Sequence, residues 1–257
     1  MKRSITIAFL LVISLTASIN NVFAWGKAGH QMVAEVAFNY LDAATKAKIL
    51  QALNSYNIEQ AATWMDDVRG DASLGYMKSW HFVNIDKGAV YKTHGSDAAF
   101  QLNRVITALM HKATLTADTV KRDLLILFHL MGDLHQPLHV GYGTDLGGNK
   151  ATVSFLGKPN NNLHHVWDGD IIYNKKIKLA DCIKANSTYT PAQIAAIQKV
   201  DVMAWLTQSR AYLNTNVYTF QNATISQAYI DHNAPVIEKQ IGIAGLRLAG
   251  ILKAAFK

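Results

Sequence analysis

The apolar run Leu124-Leu125-Ile126-Leu127-Phe128 leads without a break into His129-Leu-Met-Gly-Asp133-Leu-His135-Gln-Pro137-Leu-His139. Three imidazoles and a carboxylate thus sit on or beside one apolar helix. Such side chains are costly to bury unless something binds them. A metal is the simplest partner: zinc takes nitrogen and oxygen ligands from His and Asp, and catalytic sites keep one position open for water. His129 and Asp133 are four residues apart, so on a helix they point the same way. One His-x3-Asp pair on its own is better explained as a polar helix face exposed to solvent. The same spacing recurs at His164 and Asp168, which favours the metal.

Helical period runs through most of the chain after residue 24. It predicts helices over Gly29 to Leu41, Ala43 to Leu53, Asp97 to His111, Asp118 to His135, Pro191 to Val217 and Ile225 to Ala254. Thr190 is expected to cap a helix that starts at Pro191. Pro137 should end or bend the His129 helix, and Pro235 should kink the last one. The segment Gly141 to Asn162 is rich in Gly and Asn, and Lys150 to Phe155 alternates like a strand, which reads as a small β-hairpin excursion. With no repeat and no linker, the fold class is all-α, a single mainly helical domain over 25–257.

Half of the 257 residues are hydrophobic and only 17% are charged, which fits a globular core and excludes a disordered chain. Residues 1–24 read as a secretory signal, with Lys2 and Arg3 first, an apolar core from Ile5 to Leu15, and a cut after Ala24. The mature protein would be secreted or periplasmic. The apolar core is too short for a membrane span, and no other stretch is long enough. Removing Lys2 and Arg3 lowers the formal charge from +7 to +5, a modestly basic balance that suits a polyanionic substrate. Cys182 is the only cysteine, so no intramolecular disulfide forms, and stability rests on the core or on bound metals. Asn186-Ser-Thr188 and Asn222-Ala-Thr224 are glycosylation sequons that matter only in a eukaryotic host.

Four more segments join the His129 helix: Trp25-Gly-Lys-Ala-Gly-His30, Trp64-Met-Asp66-Asp67-Val-Arg69, Trp80-His81-Phe82-Val83-Asn84 and Asn162-Leu-His164-His165-Val-Trp167-Asp168. In order and spacing, from Trp25 to Asp168, this series resembles the zinc-dependent single-strand-specific nucleases of fungi and plants, the mung bean nuclease type, a family related to bacterial zinc phospholipase C. The resemblance implies three zinc ions in a cleft. One would be held by Asp66, His81, His129 and Asp133, and a second by His139, His164 and Asp168. A third would be held by His30, Asp133 and the terminal amine and carbonyl of Trp25, so that Asp133 bridges two ions. Imidazole and carboxylate donors suit zinc.

The resemblance further implies hydrolysis of single-stranded DNA and RNA, through water activated by the zincs, to 5′-phosphorylated products, with 3′-nucleotidase activity on nucleotides. Asp66 would orient the water, and Arg69 would neutralise developing phosphate charge. Phe82 matches a base-stacking aromatic of the family. Asn84 stands where the best-studied fungal pattern has Asp, which alters the groups offered to the base edge. Tyr142, in the glycine-rich loop, is a weaker stacking candidate. A monomer with no stable protein partner is expected. Alternatives are a zinc phospholipase C, whose relatives tend to carry Glu at the position of Asp168, and a non-catalytic zinc-binding protein. His94, His111, His165 and His232 have no ligand role in this reading. His135 is expected to support the site or face solvent. Asp67 is less favoured than Asp66, and Asp145 is expected to shape its loop or support a ligand His. Trp64, Trp80 and Trp167 are expected to pack around the cluster.

Overall fold

The computed structural model describes residues 25–93 and 95–257. The proposed signal segment and His94 lie outside these residues. The chain is mainly helical, in one domain. In chain order it runs α1 (Lys27–Asn39), α2 (Ala43–Leu53), α3 (Ile58–Asp67), a 3-10 stretch (Ala72–His81), α4 (Ala98–Met110) and α5 (Ala117–His135). Strands β1 (Thr152–Phe155) and β2 (Lys158–Asn162) follow. They lead into one continuous helical run: α6 (Leu163–His165), a π turn (Val166–Asp170) and α7 (Ile171–Lys175). Then come α8 (Leu179–Asn186), α9 (Pro191–Ile197), α10 (Val202–Tyr212), strand β3 (Thr224–Ile225) and α11 (Gln227–Phe256).

Capping side chains explain most helix starts. Asp42, Asn57, Asp97, Thr116 and Ser226 each accept from a backbone N–H of the first turn, of α2, α3, α4, α5 and α11 respectively. Asn57 and Gln60 form a reciprocal capping box. That local signal makes α3 a helix of its own, although its apolar period is too short to stand out in the sequence. Asp201 caps α10 through the Ala204 N–H at 2.9 Å, which divides the expected Pro191–Val217 helix in two. Pro137 ends α5 as expected. Pro235 sits inside α11, which continues through it from Gln227 to Phe256.

Helix α5 is the axis of the core. From Asp123 to His135 every side chain is buried, the pattern of a helix covered on all sides. Helices α1, α3, α4 and α11 pack around it, and α1 also lies along α11. Gly245 makes that last contact possible, since a Cβ there would stand 2.5 Å from Cβ of Val36. The expected hairpin is present as antiparallel β1 and β2, with Thr152 opposite Asn162. The structure adds β3, two residues long, parallel to β1 with Phe155 opposite Ile225. A strand that short carries no readable period. Asn186 is buried and donates Nδ2 to the Gly242 carbonyl at 2.9 Å, so the first sequon is closed in the folded chain.

Candidate metal centre

The C-terminal turns of α5 bring His129 and Asp133 onto one face, as their spacing dictates. Helix α1 places His30 against that face. Its ring stacks on His129 with centroids 4.0 Å apart, and it fits because residue 132 is glycine: a Cβ there would meet His30 Nδ1 at 2.5 Å. The end of α3 contributes Asp66, and the 3-10 stretch contributes His81. The short turn after Pro137 turns His139 inward, and the run from α6 into the π turn supplies His164 and Asp168. All eight side chains are buried. Their donor atoms form three groups, each within 4.8 Å: His30, His129 and Asp133; Asp66, His81 and His129; His139, His164 and Asp168.

The spacings within these groups are close to those of ligands that share a cation, although several are also within hydrogen-bonding distance. Ligands of a tetrahedral zinc with bonds of about 2.0–2.1 Å stand about 3.3–3.4 Å from one another. Asp133 Oδ2 lies 3.1 Å from His81 Nδ1 and 3.3 Å from His129 Nε2, and those two nitrogens are 3.0 Å apart. Asp66 Oδ1 is 3.9 Å from both. Asp133 Oδ1 turns the other way, 3.4 Å from His30 Nε2. In the remaining group His164 Nε2 is 3.2 Å from Asp168 Oδ2 and 3.1 Å from His139 Nε2. Both nitrogens of His30, Oδ1 of Asp133 and Oδ2 of Asp168 are buried without a hydrogen-bond partner, and Oδ1 of Asp66 is met by an Arg69 ion pair. Orphaned buried atoms of this kind are rare and call for an explanation. A set of cations at their meeting points satisfies them together.

Neighbouring groups orient the donors. The opposite ring nitrogen of His129 faces the Ala62 carbonyl at 2.8 Å, that of His139 the His81 carbonyl at 2.6 Å, and that of His164 the Gly147 carbonyl at 2.6 Å. Each contact places the ring proton on Nδ1 and leaves Nε2 free as a donor to metal. Gln136, the residue that ends α5, donates Nε2 to Asp168 Oδ1 at 2.6 Å, which leaves Oδ2 to face His164. Asp145 binds the Gly148 N–H at 3.0 Å and the Tyr218 hydroxyl at 2.6 Å, so it shapes the loop whose Gly147 carbonyl holds His164.

The electrostatics are those of a charged pocket held out of water. Burial disfavours the charged ring of His129, but the carboxylates of Asp133 and Asp66 outweigh it and raise its pKa to about 9. Burial opposes ionisation of Asp133 too, yet His129 and His139 hold its carboxyl well below the usual range. Burial dominates at His139, lowered to about 4, and at His81, which is also lowered. At His164 the opposing pull of Asp168 wins and the pKa rises. A metal ligand must be the neutral ring. Loading the metal-free protein at about one pH unit below the His129 value is therefore expected to release protons, and the release should shrink as the starting pH is raised through about 9. A pH indicator in weak buffer reads this directly, and metal uptake without proton release would contradict it.

The centre opens into a cleft of about 260 Å³, lined by Arg69, His81, Phe82, Asn84, Leu138, His139, Leu146, Asn149 and His164. Arg69 Nε lies 3.2 Å from Asp66 Oδ1. Phe82 is 39% exposed, which leaves a ring face open to a ligand. The sequence reading missed Leu146, which is 47% exposed on the cleft rim with a left-handed backbone (φ 53°). That conformation is unusual for a branched aliphatic residue, and no local sequence signal marks it. Tyr142 does not line this cleft. Its hydroxyl donates to Asn214 at 2.8 Å, and its ring packs on Tyr218 and on the Arg210 guanidinium.

The remaining expected residues fall as follows. Asp67 is exposed and accepts from the Thr63 hydroxyl, away from the donor groups. His111, His165 and His232 are exposed. His135 corrects the surface expectation: it is fully buried, with Nε2 2.7 Å from Arg247 and Nδ1 on the Met131 carbonyl. Trp167 is buried beside Asp168 and donates to the Tyr229 hydroxyl, whereas Trp64 and Trp80 are only partly buried against the core. Trp25 is fully buried, and the N–H of Gly26 is bonded to the Asp168 carbonyl at 2.7 Å, which pins this stretch beside the donor groups.

A helical scaffold with three converging groups of buried His and Asp donors, open to a cleft with an arginine and an exposed aromatic, is consistent with a multi-metal site. The S1/P1 nuclease family model matches residues 25–257, and the chain belongs to that family. It is similar to Endonuclease 4 of Arabidopsis thaliana, 28% identical with 100% of this chain and 97% of that protein covered. It is also similar to Nuclease S1 of Aspergillus oryzae, 25% identical over 90% of this chain and 91% of that protein. Nuclease P1 of Penicillium citrinum is 26% identical over 88% and 95% respectively. The chain is therefore a hydrolase of a nuclease family, with nucleic acid as its implied substrate. No described helix is long and apolar enough to cross a membrane.

Proposed function

We propose that the protein is an exported zinc phosphodiesterase. It hydrolyses single-stranded DNA and RNA to 5′-phosphorylated products and acts as a 3′-nucleotidase. The observation that carries this reading is the convergence of unsatisfied buried donors at the floor of a cleft whose wall holds Arg69 and Phe82. The family match begins at Trp25, the residue after the proposed signal cut.

Asp66, His81, His129 and Asp133 would hold one zinc. His139, His164 and Asp168 would hold a second. His30, Asp133 and the amine and carbonyl of Trp25 would hold the third. The opposed directions of the two Asp133 oxygens support its role as a bridge. His129 is assigned to the first ion because its Nε2 faces His81 Nδ1 and Asp133 Oδ2 together. Zinc ions so held would supply an acidic water for attack on phosphorus near neutral pH and would neutralise charge on the phosphate. Asp66, steadied by Arg69, orients the incoming water. Arg69 offers paired donors to the phosphate oxygens. Phe82 receives a base on its open face, which requires the base to leave its stack and so favours single strands. Asn84 offers both a donor and an acceptor to the base edge.

Truncating Phe82 to Ala should remove a stacking contact worth about 1–3 kcal/mol, which raises KM for a single-stranded oligonucleotide by about 5- to 150-fold. Zinc content and kcat should change little. An unchanged KM would place the base elsewhere. Release of choline phosphate from phosphatidylcholine, with no action on single strands, would replace the nuclease reading by a phospholipase one.

A further inference from the structure

Two backbone segments lie side by side and carry cleft-lining residues, His81, Phe82 and Asn84 on one and His139 on the other. One runs from His81 through Phe82 and Asn84 to Asp86. The other runs from His139 to Gly141. They are laced together near the metal centre: the Val83 N–H donates to the His139 carbonyl at 2.7 Å, the Ile85 N–H donates to the Gly141 carbonyl at 3.0 Å, and His139 Nδ1 meets the His81 carbonyl at 2.6 Å. At the Ile85 and Gly141 end, four carbonyls of the two segments converge on one side chain.

That side chain is Arg210 of α10. Its Nη1 donates to the carbonyls of Val140 at 2.6 Å and Gly141 at 2.9 Å. Its Nη2 donates to those of Ile85 and of Asp86, the latter at 3.2 Å. The guanidinium is half-buried, and the Tyr142 ring covers it at 5.1 Å. Tyr142 is in turn held by Asn214, one helical turn beyond Arg210. A planar fork with two donors on each terminal nitrogen can span two loops in this way. A lysine ammonium, whose donors radiate from one point, cannot.

The geometry points to Arg210 as a positioning residue for substrate. It clamps the segment that carries Phe82 and Asn84 to the segment that carries His139, and so fixes the distance between the base platform and the reacting phosphate. The inference rests on the proposed nuclease reading, in which Phe82 receives a base. Arg210 touches neither the donor groups nor the open face of Phe82. Its loss therefore acts through the relative placement of the two segments, and small misplacements of a bound substrate have large kinetic consequences.

The test compares Arg210→Lys and Arg210→Ala with wild type and with Phe82→Ala, measuring KM, kcat, zinc content and thermal midpoint. The substrates are a dinucleoside monophosphate and a longer single-stranded oligonucleotide. Arg210→Lys keeps the charge and the aliphatic stem, so it serves as the folded control. Both Arg210 variants are expected to raise KM by about tenfold or more, with zinc content unchanged and Lys giving no rescue. A lower thermal midpoint with wild-type KM in the folded fraction would overturn the inference, because the clamp would then be structural only. Wild-type KM in Arg210→Lys would overturn it as well. A raised KM in Phe82→Ala with normal KM in both Arg210 variants overturns the clamp alone. Normal KM in all three overturns the base-platform reading on which it rests.

Discussion

Asp133→Asn is expected to lose two of the three proposed zinc ions together and to abolish nearly all hydrolysis. Asp133 is fully buried at the meeting point of four imidazoles, with one oxygen toward His81 and His129 and the other toward His30 and His139. An amide keeps the shape but removes the anion and replaces one acceptor by a donor, which repels a cation. Even groups that only support a metal ligand cost 10- to 100-fold in affinity when removed. A ligand shared by two ions should cost more than about 100-fold at each. A fall of about a thousandfold in kcat/KM, about 4 kcal/mol of transition-state stabilisation, is the expected scale. Metal analysis of the purified variant beside a hydrolysis assay checks this, and full zinc with wild-type activity would rule out the bridge. The variant should also release fewer protons on metal loading about one pH unit below the His129 value of about 9, since Asp133 is the first of the carboxylates that raise His129.

An added residue before Trp25 is the second large effect. Trp25 is fully buried, and the Gly26 N–H is bonded to the Asp168 carbonyl, so this stretch is pinned beside the donor groups. While any residue precedes it, the Trp25 nitrogen is an amide without a basic lone pair. Only the cut after Ala24 makes it an amine that can bind metal. A protein that begins Met-Trp25 is expected to carry about one zinc fewer and to hydrolyse substrate far more slowly than one that begins at Trp25, with removal of the Met restoring both. Equal zinc content and equal activity in the two forms would remove Trp25 from the metal centre.

Local spacing made part of this site legible in the sequence. The His-x3-Asp pairs of α5 and of the run from α6 into the π turn follow from helical geometry alone. Asp66, His81 and His30 carry no such local signal, and only the order of five segments, compared with a family, brought them into one site. The helical class was readable from period. The errors came where a cap outweighed period, as at Asp201 and Asn57, or where an element was too short to show one, as at β3. Arg210 and the His135–Arg247 pair were invisible for another reason. Each depends on contacts between residues far apart in the chain: Arg247 is 112 positions from His135, and Arg210 is 70 from Val140. No pattern within one segment can announce such a pairing.

The most direct test of the central claim is hydrolysis of single-stranded and duplex DNA by protein beginning at Trp25, before and after removal of metal with a chelator and again after zinc is returned. The account predicts rapid loss of the single strand, slow attack on the duplex, 5′-phosphate on the products, abolition by the chelator and recovery with about three zinc ions per chain. Protein fully loaded with zinc that leaves single-stranded DNA and RNA intact would contradict it.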